Sequence, residues 1–344
     1  MYKTFIRPIL FKIQPETIHH VIVKFMKVVS VIPGLSYLLK QFYTVSSPKL
    51  EREFLGIKFA NPVGFAAGFD KDAEIYNPFS LFGFSFIEIG TVTPKAQSGN
   101  PKPRMFRLKS DSALINRMGF NNKGVLNAVK NINKRPSKII LGGNIGKNTK
   151  TTNEDAVNDY KYAFTHLYDC VDYFVVNVSC PNVSNLTKLQ DKDSLDNIIN
   201  ELIKIRAAKD IRKPILLKIS PDLNNNQLND IISLYTNSLI DGVVATNTSV
   251  SRDSLLESKK RLTEIGNGGL SGSPISKRST EVIRYLSENT GGKMPIIGVG
   301  GINSVEDAIE KLDAGATLLQ VYTGFIYNGP GFVKKINKAI LKRM

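Results

Sequence analysis

From residue 61 onward one pattern recurs eight times: a short apolar run rich in Val and Ile that ends in Gly, Asn, Thr or Ser, then a longer amphipathic stretch. The runs span residues 61–68, 86–93, 138–146, 173–179, 214–220, 242–248, 295–302 and 317–324. They are almost continuously hydrophobic, as strands covered on both faces must be, and helix-length segments separate them. Eight such units are the number that closes a parallel barrel. An open doubly wound sheet fits less well, because it usually has fewer strands and a G-x-G-x-x-G turn after the first, which this chain lacks. The expected fold is therefore α/β, a (β/α)8 TIM barrel, preceded by an N-terminal helical extension.

Each run carries its unusual residues at its C-terminal end, the face where barrels place their chemistry. Lys71, Thr91, Asn144, Asn177, Lys218, Asn247, Gly300 and Tyr322 fall on or just past that edge. Caps and turn formers would put some of them there by chance. A pattern shared by all eight runs points to a site.

The first 45 residues read differently. Phe5, Ile6, Ile9, Leu10 and Ile13 precede a break at Pro15, and Ile18, Ile22, Phe25, Met26 and Val29 then follow at helical spacing. Pro15 suits a first helical turn, with Glu16 beside it at the positive end of the dipole. Pro33-Gly34 ends this helix, and Leu35, Leu38, Leu39 and Phe42 form a third apolar patch before the Ser46-Ser47-Pro48 linker. Seven basic residues up to Lys49 face Glu16 as the one acid. Basic helices with large apolar faces suit interfacial membrane attachment, a reading favoured here over a cap whose apolar side simply turns inward onto the barrel. The division expected is residues 1–45 as a membrane-associating segment and 46–344 as the barrel.

Composition narrows the functions. With 344 residues, 42% hydrophobic and 22% charged, the chain is globular and can bury a large core. Two cysteines, Cys170 and Cys180, cannot build a disulfide framework or a zinc cluster, and no secretory leader opens the sequence, so a reducing cytosolic setting and no metal are expected. Lys24 and Lys27 interrupt the longest N-terminal apolar stretch below membrane-spanning length. The net charge of +16 calls for nucleic acid, an anionic membrane face or anionic small molecules, unless it reflects only a Lys-rich proteome.

Several residues carry candidate chemistry. Cys180 sits among Asn177, Ser179, Pro181 and Asn182, a thiol flanked by two carboxamides. Carboxamides offer a donor and an acceptor on one side chain, and with Asn116 and Asn247 they could read the ring amides of a pyrimidine-like ligand. Each also has an ordinary explanation as a turn former. Lys218 inside an apolar strand is costly unless an anion receives it, and with Lys71 it implies an anionic ligand. The seventh and eighth runs end in Gly298-Val299-Gly300-Gly301-Ile302 and Tyr322-Thr323-Gly324, where barrels commonly bind phosphate; Gly268-Gly269-Leu270-Ser271-Gly272 could close the same site.

Taken together, the motifs Ala-Ala-Gly-Phe-Asp-Lys, Glu-Ile-Gly-Thr-Val-Thr-Pro, Asn-Arg-Met-Gly-Phe-Asn, Val-Asn-Val-Ser-Cys-Pro-Asn, Leu-Leu-Lys-Ile-Ser-Pro-Asp, Gly-Gly-Leu-Ser-Gly and Ile-Gly-Val-Gly-Gly-Ile resemble the dihydroorotate dehydrogenase family, in order and over essentially the whole chain. The segment Pro15-Glu16-Thr17-Ile18-His19 is similar to the membrane-associated, quinone-reducing class 2 branch, whose extra helices frame a tunnel to the flavin. The resemblance implies oxidation of dihydroorotate to orotate in pyrimidine biosynthesis, with FMN as cofactor. It implies FMN contacts from Ala66, Ala67, Gly68, Thr91, Asn144, Asn177, Lys218, Thr246, Gly272, Gly300, Gly301, Tyr322 and Thr323. Substrate contacts would come from Lys71, from Asn116, Arg117, Met118, Gly119 and Phe120, and from Asn177, Asn182, Asn247 and Thr248. Lys218 would stabilise the negative charge of reduced FMN. His19, Arg107 and Tyr322 would lie near a membrane quinone, ubiquinone or menaquinone.

The matching base position holds Cys180, whereas class 2 members normally carry Ser and the soluble class 1A members carry Cys. A thiol has a reference pKa of about 8.5, so a modest shift supplies thiolate near neutrality. The resemblance thus implies a peripheral protein on the cytoplasmic face of the bacterial inner membrane, a monomer or weak oligomer that binds no nucleic acid. The alternatives are a soluble-type enzyme using fumarate or NAD, a tRNA-dihydrouridine synthase-like FMN barrel, or a membrane-bound ligand-binding module.

Overall fold

The computed structural model describes residues 1–134, 139–178, 192–253 and 255–344. Each of the eight apolar runs holds one strand: β1 (Val63–Phe65), β2 (Phe86–Val92), β3 (Ile140–Ile145), β4 (Tyr173–Asn177), β5 (Ile215–Ile219), β6 (Gly242–Ala245), β7 (Ile296–Val299) and β8 (Leu318–Val321). All pair in parallel with their neighbours in chain order, and β8 closes on β1 to complete the barrel. The eight-unit pattern is thus a closed (β/α)8 barrel rather than an open sheet.

Small and large residues alternate across the interior. A Cβ on Gly64 would lie 2.4 Å from the Phe86 ring, and one on Gly142 would lie 2.3 Å from the Tyr173 ring, so these glycines make room for aromatics on the next strand. Below them, Phe54 and Phe59 of a two-stranded hairpin (Arg52–Phe54, Ile57–Phe59) plug the N-terminal end, with Phe59 edge-on to Phe86 at 5.2 Å. A second, larger apolar layer lies between the strands and the outer helices. Two of those helices start in capping boxes: Asn224 with Gln227 before Asn225–Thr236, and Ser304 with Asp307 before Val305–Asp313.

At the N-terminus, Pro15 opens helix α1 (Pro15–Val29), and Gly34, in the left-handed region at φ +77°, leads into α2 (Leu35–Tyr43). Both alternatives for this segment contain part of the arrangement. Ile18, Met26 and Val29 are buried against the barrel. Phe25, expected on the same face, is 59% exposed, and Leu38 and Phe42 of α2 are more exposed still. The helices are apolar on two sides and only one side fits the barrel. Polar ties hold them there: Tyr2 Oη donates to the Ile326 carbonyl (2.7 Å), Arg104 forks onto Glu16 (2.7 and 3.2 Å), and Lys27 meets Glu74 (2.6 Å). Lys334, one of the basic residues on the last helix, donates to the Phe42 carbonyl and lies over its ring. Among the described residues no helix is long and apolar enough to cross a membrane.

A three-stranded antiparallel sheet (Met105–Leu108, Ala113–Asn116, Gly269–Gly272) contributes to the wall of the C-terminal mouth of the barrel.

Candidate active site

Four strands converge on one buried carboxylate. Glu88 on β2 is fully buried; its Oε1 accepts from Asn144 Nδ2 on β3 (2.7 Å) and Lys218 Nζ on β5 (3.4 Å), and its Oε2 accepts from Gln320 Nε2 on β8 (2.6 Å). Thr91 Oγ1 donates to Asn144 Oδ1 (2.6 Å) and accepts from Asn177 Nδ2 on β4 (2.9 Å), while Asn247 Nδ2 donates to Asn177 Oδ1 (3.3 Å). In a low-dielectric interior such a network is strong when satisfied and expensive when broken. The sequence argument that Lys218 demands an anionic ligand is corrected here, because Glu88 already supplies an anion from within the barrel.

Over this network opens a cavity at the C-terminal mouth. It is lined by Ala66, Ala67, Gly68, Lys71, Thr91, Asn116, Met118, Gly119, Phe120, Asn177, Lys218, Thr246, Asn247, Thr248, Gly272, Gly300, Gly301, Tyr322 and Thr323. Two other residues expected to touch cofactor or substrate stand elsewhere. Asn144 is wholly buried and holds Thr91 and Asn177 from behind. Arg117 turns away from the cavity: its guanidinium donates to the Ile265, Asn267 and Pro103 carbonyls and stacks on Phe106 at 4.7 Å, which ties the loop before Gly269 to the sheet. Cys180 and Asn182 lie outside the described residues.

The cavity wall includes both cations and a group of glycines. Lys71 Nζ donates to Asn121 Oδ1 beside Asn116 and Met118. Of the other lining residues, Gly272, Gly300 and Gly301 have φ values of +103°, +108° and +76°, which L side chains rarely adopt. A Cβ on Gly301 would sit 2.2 Å from Ser276 Cα, and one on Gly324 only 1.9 Å from the Ile302 carbonyl oxygen. Beside Gly300, Thr246 Oγ1 is buried with no hydrogen-bond partner among the described residues. A cradle that excludes side chains and keeps an unpaired hydroxyl suits a phosphate.

A second cavity of about 370 Å³ lies between the N-terminal helices and the barrel. Ile18, Ile22, Met26, Leu35 and Leu39 line one side, and Phe69, Phe79, Phe82 and Phe325 the other. Its few polar groups include His19 and Arg107. Burial, reinforced by the nearby Lys71 charge, pushes the His19 imidazole down to about 4, so it is neutral at physiological pH; its ring meets Phe69 edge-on at 4.5 Å. Arg107 donates to the Ile13 carbonyl (2.6 Å) and lies over Phe11 at 4.6 Å. Tyr322, Met105 and Leu114 line both cavities and form the partition between them. Tyr322 stacks parallel to Phe65 with centroids 6.0 Å apart, and burial holds its phenol well above the ordinary tyrosine range, hence protonated.

A family model described as "Dihydroorotate dehydrogenase" matches residues 49–344. The chain belongs to the dihydroorotate dehydrogenase family. It is 56% identical, over 100% of its own length and 99% of the other's, to a protein of Christiangramia forsetii named "Dihydroorotate dehydrogenase (quinone)". A protein of Corynebacterium diphtheriae bearing the same name is 42% identical over 97% of this chain and 91% of its own. Among solved structures, a ligand-free dihydroorotate dehydrogenase from Eimeria tenella superposes with a TM-score of 0.81 at 34% identity, covering 90% of this chain and 94% of the other. The Eimeria protein in complex with ferulenol gives 0.83 at 33% identity, covering 96% and 91%. The likeness to the proteins named for quinone includes the N-terminal helices, and with them the class 2 branch expected from the motif at Pro15.

Against this family background, reading the residues one by one misses Glu88, Gln320, Met105 and Leu114. Glu88 carried a usable signal: it is a lone acid in an otherwise apolar run, the mirror of the lone Lys218 three strand-runs later in the chain. Two opposite unpaired charges in strands of one barrel are candidates to pair. Met105 and Leu114 had none, because their position depends on how the antiparallel sheet packs between two cavities.

Proposed function

We propose that this chain oxidises dihydroorotate to orotate at the mouth cavity and passes the electrons to a membrane quinone in the apolar cavity, with FMN between them. The observation that carries the reading is the pair of cavities, one polar and one apolar, that share Tyr322, Met105 and Leu114 as a common wall.

The family is flavin-dependent, and the residues present fit FMN. The cradle of Gly272, Gly300 and Gly301 with the unpartnered Thr246 hydroxyl fits its phosphate, with Tyr322 and Thr323 beside it. Ala66, Ala67, Gly68, Thr91, Asn177 and Lys218 would hold the ring system, and Asn144 would act on it only through Thr91 and Asn177. When bound, the flavin supplies a two-electron acceptor that a quinone can reoxidise.

The chain's own residues do the rest. Lys71 meets the substrate carboxylate, and Asn116, Asn177, Asn247, Thr248 and Asn182 fix the ring through donor and acceptor pairs. Cys180 removes the proton from C5 while the hydride departs from C6. Lys218, with Glu88 behind it, offsets negative charge that develops on the ring system during reduction, as a preorganised dipole rather than a free cation. Tyr322 stays protonated at all physiological pH and contributes shape and packing rather than charge. The neutral His19 ring offers an N–H donor to a quinone carbonyl, and Arg107 is the nearby cation. Leu38 and Phe42, exposed on a basic helical segment and outside the lining of the apolar cavity, support peripheral attachment to an anionic membrane face.

The test is anaerobic mixing of the purified protein with dihydroorotate. Bleaching of flavin absorbance, with orotate formed in equal amount, is expected. Iodoacetamide should abolish it, orotate should protect, and full activity after complete alkylation of Cys180 would remove that residue from the reading.

A further inference from the structure

Behind the glycine loop that follows β7 lies a cation with no part in the scheme above. Lys311, on the helix Val305–Asp313, is completely buried. Its ammonium donates to Ser279 Oγ (2.8 Å), Thr280 Oγ1 (3.0 Å) and the Ser276 carbonyl (3.4 Å), so all three N–H donors end on neutral oxygens. Among the described residues no carboxylate forms an ion pair with it; Asp307 and Glu310, on its own helix, act only through space. Asp307 is itself occupied by the Ser276 hydroxyl and the Asn303 and Ser304 amides. A buried ammonium left without a counter-ion is costly, and one placed in a fold wants an anion nearby.

The Ser279 hydroxyl relays this charge to the loop. It accepts from Lys311 and shares its single proton between the Val299 carbonyl (2.9 Å), which the Thr246 amide also meets, and the Gly300 carbonyl (3.1 Å). In a trans peptide the C=O and N–H of one plane point in opposite directions. Drawing these two carbonyls toward Ser279 therefore turns the Gly300 and Gly301 N–H groups to the other side, and both glycines line the mouth cavity. The loop also lies directly on the turn that Lys311 braces, since a Cβ on Gly301 would strike Ser276. Burial pulls the ammonium down to about 8, so it still carries its charge at neutral pH.

We propose that Lys311 is a positioning residue for the flavin phosphate: through Ser279 it aims the Gly300 and Gly301 amides, and its unpaired charge favours a dianion at that loop. This rests on the assignment of the loop as the phosphate end of the FMN site. The experiment is titration of the full-length protein, freed of flavin, with FMN and with riboflavin, which lacks the phosphate. Lys311→Met should weaken FMN binding at least tenfold and riboflavin binding less than twofold. Ser279→Ala, which deletes one hydroxyl and keeps the fold if the Lys311 variant does not, should give the same FMN-selective loss at three- to tenfold. Equal loss of both flavins would make Lys311 a merely structural residue, and no loss of either would also overturn the proposal. A wild-type protein that binds FMN no better than riboflavin would instead defeat the phosphate assignment itself.

Discussion

Neutralising Glu88 tests the barrel network from its centre. Glu88→Gln keeps the shape of the side chain but removes the charge that faces Lys218 Nζ at 3.4 Å. At an effective dielectric of about 20, a unit pair at that distance is worth about 5 kcal/mol. The new amide also carries an N–H pair where the carboxylate took only donors, so at least one of Asn144, Lys218 and Gln320 would face a donor instead of an acceptor. Breaking one side of a buried pair costs about 3–5 kcal/mol, in line with the Coulomb figure. For a chain of this length that is roughly 5 °C in Tm. Thermal melts followed by circular dichroism read it directly. Because the cost is mostly an uncompensated cation, the double variant Glu88→Gln with Lys218→Met should be more stable than Glu88→Gln alone. A loss under about 1 kcal/mol for the single variant, or strictly additive losses in the double, would refute the account of this network.

Other expectations follow from the two cavities. His19 is neutral when folded down to about 4, against 6.5 as the ordinary value, so the unfolded chain binds the proton first as pH falls. Stability from this group is therefore intact above 6.5 and declines toward pH 4, by up to about 3 kcal/mol; His19→Gln should remove that decline in denaturant titrations run across this window. Asp70, raised by burial to about 6, has the opposite sign but is common to both proteins and cancels in the difference. Gly301→Ala must place a Cβ at φ +76° and 2.2 Å from Ser276 Cα, so the purified protein should carry far less than one flavin per chain by absorbance. Ile22→Trp, filling part of the 370 Å³ apolar cavity, should slow quinone-linked turnover at least tenfold while single-turnover flavin reduction by dihydroorotate stays within twofold.

The barrel was legible because parallel strands buried on both faces leave continuous apolar runs, and each of β1 to β8 lies inside one. Most of the mouth was legible for a related reason: polar residues such as Thr91, Asn177 and Asn247 stand at the C-terminal ends of runs that are otherwise almost continuously apolar. What the chain did not disclose is set by closure of the sheet. Glu88 meets Gln320 only because β8 pairs with β1, which in turn pairs with β2, so that closure brings the two residues together inside the barrel, a contact between residues 232 positions apart. Arg117 had the right motif around it, yet the Ile265 and Asn267 carbonyls of the loop before Gly269, together with the Pro103 carbonyl, outcompete the cavity for its guanidinium. The N-terminal helices were read as facing either the barrel or a membrane, and their period could not show that the apolar surface is wide enough for both sides.

The most direct test of the central claim is to purify the protein with its flavin and compare acceptors for dihydroorotate oxidation. The account predicts that a soluble quinone analogue supports turnover at least a hundredfold faster than fumarate or NAD, a margin of about 2.7 kcal/mol in barrier. Turnover with fumarate or NAD equal to or above that with quinone would contradict it, and would leave the apolar cavity beside Tyr322 without its proposed role.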